Sequence, residues 1–167
     1  MRTQRAFTVV ELLIALALVA IIGSIAIPAL QDFLERNQQQ VLYQQISRAL
    51  QHARSYAVTH RVSVELCASN DGLSCNSSWS HGWLLRELNK ESVIAVTLLN
   101  SDSQRLQWKG FNQIIQFHST GISPVGNGRF YSCYKNKVSW QLVINRQGRL
   151  RTASSRENIT EAALCSG

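Results

Sequence analysis

Residues 7–30, FTVVELLIALALVAIIGSIAIPAL, are apolar except for Thr8, Glu11 and Ser24. At 24 residues this run is long enough to cross a bilayer as a helix, and such a segment dictates the placement of everything attached to it. The flank before it carries Arg2 and Arg5 with the amino terminus, so the positive-inside rule places that end in the cytoplasm and the rest of the chain outside. A secretory signal would show small residues at a cleavage site after the apolar stretch, and residues 28–32, Pro-Ala-Leu-Gln-Asp, are a poor version of one. The segment is therefore expected to stay. Glu11 stands out within it, because a carboxylate in an apolar helix costs about 2.5–3.5 kcal/mol on insertion scales and persists best beside a cation. Its position one turn from the helix start also allows a wet interfacial site, and the residue alone does not decide between the two.

The surrounding residues narrow the choice. Ala6, Phe7, Thr8, Val9, Val10 and Glu11 follow a short basic leader and precede an apolar run interrupted by Pro28. This arrangement resembles the class III signal of type IV pilins and type II secretion pseudopilins. The resemblance implies that a prepilin peptidase cuts between Ala6 and Phe7 and methylates the new amino group of Phe7. It also implies that Glu11 pairs with the amino terminus of a neighbouring pilin during fibre assembly. Ala6 departs from the family, where Gly is usual. The chain then divides into a leader (1–6), a transmembrane assembly helix (7–30), an amphipathic helical continuation (31–60) and an exported β-rich domain (61–167). Its expected location is the bacterial inner membrane before assembly, then the periplasm and a pilus fibre at the cell surface.

Past Pro28, Val41, Leu42, Ile46, Ala49, Leu50, Ala53 and Ala57 recur at three- and four-residue spacing, with Gln38, Gln39, Gln45, Arg48 and His52 opposite them. Strands are predicted over 61–68, 82–88, 93–99, 114–118, 129–134, 138–145 and 149–153. Glycine-containing turns at 70–72, 126–128 and 145–148 separate some of them. The expected fold is α+β: a long N-terminal helix, transmembrane in its first half, packed on antiparallel sheet. The four cysteines, Cys67, Cys75, Cys133 and Cys165, lie in the exported part, where thiols pair. Three connectivities are possible, and proximity favours Cys67–Cys75 with Cys133–Cys165. Neither pair has the gap of a structural zinc site. Residues 50–58, the Cys67/Cys75 pair, residues 79–83 (Trp-Ser-His-Gly-Trp) and 117–121 (Phe-His-Ser-Thr-Gly) look like the GspH/FimT group of minor pilins and pseudopilins. Trp79, Trp83, Trp108 and Trp140 are read as packing residues.

No catalytic constellation emerges. His52, His60, His81 and His118 lack metal-ligand spacing, the acids are scattered, and no phosphate or dinucleotide fingerprint is present; the reading is not an enzyme, with no cofactor and no metal. Charge is the remaining signal, since residues 129–167 hold seven basic and two acidic side chains and supply most of the net +7. Such a skew favours polyanions. Arg149 and Arg151 alternate with Leu150, and Arg146 lies across a predicted turn. Guanidiniums so placed can fork onto phosphate oxygens. Gly148, Arg149, Leu150 and Arg151 also resemble the Gly-Arg-x-Arg motif of FimT-type minor pilins, which act in DNA uptake during natural transformation. That resemblance implies non-specific, phosphate-mediated DNA binding led by Arg149 and Arg151, with Lys135, Lys137, Arg146 and Arg156 as a supporting ring. The rival expectations are a structural pseudopilin or pilus-priming subunit without DNA binding, and adhesion to another anionic surface.

Overall fold

A computed structural model describes residues 8–90, 92–99 and 106–165. Ala6 and Phe7, the expected cleavage and methylation positions, lie outside the described residues. Two compact units are present, one ending at Asn37 and one running from Gln38.

Helix α1 spans Val9–His60. Its first turn is capped by Thr8, whose Oγ1 accepts from the Glu11 N–H at 3.2 Å while its carbonyl accepts from Leu12 at 3.2 Å. Glu11 therefore sits where a carboxylate complements the positive end of the helix. Pro28 lies inside the helix without ending it, although its ring nitrogen cannot donate to the carbonyl one turn back. In the first unit the large apolar side chains from Val9 to Leu30 are exposed, and α1 is long and apolar enough to cross a membrane.

The second unit is built on the later part of α1. Gln39, Leu42, Ile46, Leu50, Ala53 and Ala57 are its buried positions, the three-and-four spacing that one helical face requires. Two assignments change: Val41 is exposed and Gln39 is buried, because the face turned inward passes through 39, 42 and 46. The helix stops at His60. Arg61 adopts a left-handed φ of 56° and the Val62 N–H reaches back to the Ala57 carbonyl at 3.1 Å, which is a Schellman-type stop. The strand expected from residue 61 accordingly begins three residues later.

Among the described residues eight strands follow: β1 Val64–Ala68, β2 Gly82–Glu87, β3 Val93–Leu98, β4 Leu106–Gly110, β5 Ile115–Phe117, β6 Gly128–Tyr134, β7 Lys137–Ile144 and β8 Leu150–Thr152. They form two four-stranded antiparallel sheets, ordered β3-β2-β1-β5 and β4-β6-β7-β8. One core joins both sheets to the helix, with Leu66, Trp83, Ile115 and Phe117 from the first sheet, Leu106, Phe130, Trp140 and Leu142 from the second, and Trp79 from a 3-10 turn. Trp108 packs against it, partly buried. The sequence reading lacked β4 and also a short helix, α2, at Ser155–Thr160, followed by a 3-10 turn at Ala162–Cys165.

Disulfides join Cys67 to Cys75 and Cys133 to Cys165. The β6–β7 connection is a two-residue turn with φ of 48° at Lys135 and 57° at Asn136, the primed geometry that suits twisted strands. Gly126 and Gly128 do not have positive φ. They make room: a Cβ on Gly128 would lie 2.6 Å from the Gly110 Cα, and one on Gly126 would lie 2.2 Å from the Ser123 Oγ.

Candidate nucleic-acid interface

The turn between β7 and β8 is held rigidly by its own polar groups. Asn145 Oδ1 accepts from the N–H of Gln147 at 3.1 Å and of Arg149 at 2.9 Å, as an Asx turn does. The Asn145 carbonyl accepts from Gly148 at 2.9 Å, and the Arg146 carbonyl accepts from Ser123 at 2.9 Å. Gly148 has a φ of 71°, and a Cβ there would lie 2.4 Å from the Gly121 carbonyl oxygen. The glycine that opens the Gly-Arg-Leu-Arg motif is thus required twice, for its backbone conformation and for the close approach of the 117–121 segment.

That approach brings in a residue the sequence reading did not assign to the site. Arg54, partly buried on α1, has its Nε 3.2 Å and 3.5 Å from the points where Gly121 and Gly148 would carry Cβ atoms. Its side chain fills the space two glycines leave. Arg54, Arg149 and Arg151 together line one cleft of about 560 Å³ with Val143, Asn145 and Leu150, at the β8 edge of the second sheet. Residues 50–58 carry part of the family resemblance, but nothing in that stretch reveals which side chain meets the distant turn.

Strand register orders further cations on the same sheet. Lys109 pairs with Arg129, Arg129 with Val143, and Val143 with Arg151. These four stand in one row, three of them cationic, and alternate with the inward Phe130, Leu142 and Ile144. The C-terminal segment lies across this face. Arg151 donates to both carboxylate oxygens of Glu157, at 3.0 and 2.7 Å. Arg129 pairs with Glu161 at 2.8 Å, and Gln141 donates to Asn158 at 2.9 Å. Glu157 also closes a capping box with Ser154 at the start of α2. The Arg151 guanidinium, aided by the Ser154 N–H, holds the Glu157 carboxyl down to about 2. Among the described residues, both carboxylates of the C-terminal segment are spent on arginines.

The expected ring of cations is therefore divided. Arg146, Gly148, Arg149 and Arg151 are together. Arg156 is exposed on α2. Lys137 starts β7 and Lys135 lies in the turn before it, at the opposite end of that 8-residue strand from Arg146, a separation of roughly 23 Å along the strand. Nearness in sequence misled the grouping because a hairpin strand carries its two ends apart. The one convergence of metal-type donors among the described residues is Glu65 with Cys67 and Cys75. Both sulfurs are bonded to each other there, and the carboxylate is paired with Arg86.

Comparison with known proteins accounts for the architecture. Residues 1–27 match the prokaryotic N-terminal methylation motif and residues 43–148 match the family described as type II transport protein GspH. A curated relative, prepilin peptidase-dependent protein D of Escherichia coli (strain K12), is 35% identical over 72 residues, a span of 43% of this chain and 42% of that protein. The type IV major alpha-pilin of Moraxella bovis is 30% identical over 139 residues, covering 83% of this chain and 74% of the pilin. The crystal structure of the Pseudomonas aeruginosa (strain PAO1) type IV minor pilin FimU shares the fold with a TM-score of 0.54 at 24% identity, over 74% of this chain and 94% of that one. With the family match spanning more than half its length, the chain belongs to the type II transport protein GspH family and is a type IV pilin-like protein.

Proposed function

We propose that this chain is a non-enzymatic minor pilin that holds extracellular DNA by its phosphates, helping a retractable pilus take it up in natural transformation. The observation that carries the reading is the convergence of Arg54, Arg149 and Arg151 on one cleft, with Arg146 on the same rigid turn. Guanidiniums fork onto phosphate oxygens, and a turn already held by the four hydrogen bonds described above loses little freedom on binding. The test is fluorescence anisotropy of the detergent-solubilised full chain with labelled duplex DNA over a range of salt. Affinity is expected to fall steeply, by about 0.9 log units per log unit of salt for each phosphate neutralised. Arg149→Gln should weaken binding roughly 10-fold and reduce that slope by about one. A flat salt response, or an Arg149→Gln chain that binds as before, rejects the proposal.

The Arg151–Glu157 pair favours one other reading, in which the basic turn is an architectural element that meets a neighbouring subunit and no DNA is bound. Absence of DNA binding at low salt, together with loss of fibre assembly in Arg149→Gln, would select it.

For assembly, the match to the methylation motif supports cleavage between Ala6 and Phe7, methylation of Phe7, and an inner-membrane stage with the N-terminus cytoplasmic before the chain enters the fibre. Glu11 then supplies the carboxylate for a neighbour's amino terminus. Replacing it with Val removes an insertion penalty of at most about 2.5–3.5 kcal/mol, the cost of a charge at a helix centre. Membrane fractionation should find Glu11→Val inserted as before, and immunoblots of sheared fibres should find it missing. Normal amounts in the fibre would remove this role.

A further inference from the structure

A second cleft, of about 640 Å³, adjoins the arginine cleft, with which it shares Val143 and Asn145. Lys109, Phe111, Asn127 and Arg146 line it. Phe111 is 76% exposed, and its backbone is nevertheless fixed on both sides. Its N–H donates to the Asn127 carbonyl at 3.1 Å, and the next residue, Asn112, accepts from the Trp108 indole N–H at 2.7 Å. An aromatic ring is thus presented to solvent from an ordered loop rather than left on a loose one. The hydrogen bonds Phe111–Asn127 and Asn145–Arg149 place these residues in one row beyond the ends of the four strands. Phe111 and Arg149 are then three strand spacings apart, about 14 Å. Arg129 and Glu161 also border the cleft, but they neutralise one another, which leaves Lys109 and Arg146 as its cations.

A ring exposed beside cations, next to a cleft that holds phosphate, is the arrangement by which proteins grip single strands: charge tracks the backbone and the aromatic face stacks on a base of any sequence. In a duplex the bases are stacked on each other and offer no free face. The geometry points to Phe111 as a base-stacking platform, making single-stranded DNA the preferred ligand of the surface whose arginines hold its phosphates. This rests on the DNA-binding reading above and names the form of DNA that the site takes.

Three labelled probes separate the possibilities with the full chain in detergent: an oligothymidine of about 12 nucleotides, an abasic strand of equal length, and a blunt duplex. The oligothymidine is expected to bind about 10-fold tighter than the abasic strand, since stacking on one side chain contributes on that scale. Phe111→Ala should remove that difference while leaving duplex affinity unchanged, Phe111→Trp should keep it, and Arg149→Gln should weaken all three probes. If oligothymidine and abasic strand bind equally, or Phe111→Ala changes nothing while Arg149→Gln still weakens binding, the stacking role is wrong and the arginine reading stands. If the wild type binds none of the probes, the arginine reading fails first. If Phe111→Ala keeps DNA binding intact and instead fails to enter fibres, the face belongs to a neighbouring pilin and the inference is overturned.

Discussion

Converting Arg149 and Arg151 together to glutamine is expected to weaken DNA binding by two orders of magnitude or more while the folded domain persists. Hydrogen bonds to charged groups contribute about 1.5–3 kcal/mol each, so each lost guanidinium–phosphate contact corresponds to roughly 10- to 100-fold. The single variants should not be equal. Arg149 has no ion-pair partner among the described residues, whereas Arg151 is already forked onto Glu157, which offsets its charge and leaves it fewer free N–H groups for phosphate. Arg149→Gln should therefore be the larger loss, an ordering that charge counting alone does not yield. A control is built into the fold. Lys135→Gln/Lys137→Gln removes the same formal charge from the far end of β7, roughly 23 Å away along the strand and beyond the ~8 Å screening length of physiological salt. Anisotropy should place that control within about 2-fold of wild type in such salt. Equal losses in both double variants would mean that the whole basic domain, rather than the turn, attracts DNA.

What could be read from the sequence divides along physical lines. The helix was legible because Leu42, Ile46, Leu50, Ala53 and Ala57 repeat at the spacing of one face, and the error at its margin, Val41 for Gln39, is one of rotational phase. Strands with alternating apolar residues were legible to within a few positions. β4 was not, because in Leu106–Gly110 only Leu106 and Trp108 mark the inward side and two apolar residues do not define a period. The short helix α2 was missed although Ser154 and Glu157 have capping-box spacing, since six residues carry no periodicity to support it. At the candidate site, Gly148, Arg149 and Arg151 form a local motif and could be named. Arg54 could not, because it meets them only through the packing of Gly121 and Gly148 against each other. Nor could the pairing of Arg151 with Glu157, which needs the C-terminal segment to cross the sheet. Local pattern reveals which residues a turn carries; which of them are already neutralised follows from tertiary placement.

The same C-terminal segment should dominate stability. Cys133 and Cys165 close a loop with a sequence separation of 32, and removing a cross-link of that length is expected to cost about 3–4 kcal/mol through the freedom restored to the unfolded chain. Replacing both by Ser should lower the denaturation midpoint of the full chain in detergent, followed by the fluorescence of the buried Trp79, Trp83 and Trp140. Removal of Cys67–Cys75, with a separation of 8, should cost about 2–3 kcal/mol. The segment's other attachment is electrostatic, and its sign is fixed by Glu157. With the folded carboxyl held at about 2 against an ordinary 4.5, its contribution is fully present above the ordinary value and disappears as pH falls through the folded one. Between pH 4.5 and 2 the Cys133→Ser/Cys165→Ser chain should therefore continue to lose stability, and adding Glu157→Gln should flatten that part of its profile. A Cys133→Ser/Cys165→Ser chain as stable as wild type at neutral pH would show that α2 and its ion pairs hold the segment unaided. An unchanged acid slope after Glu157→Gln would assign the acid sensitivity to another carboxylate.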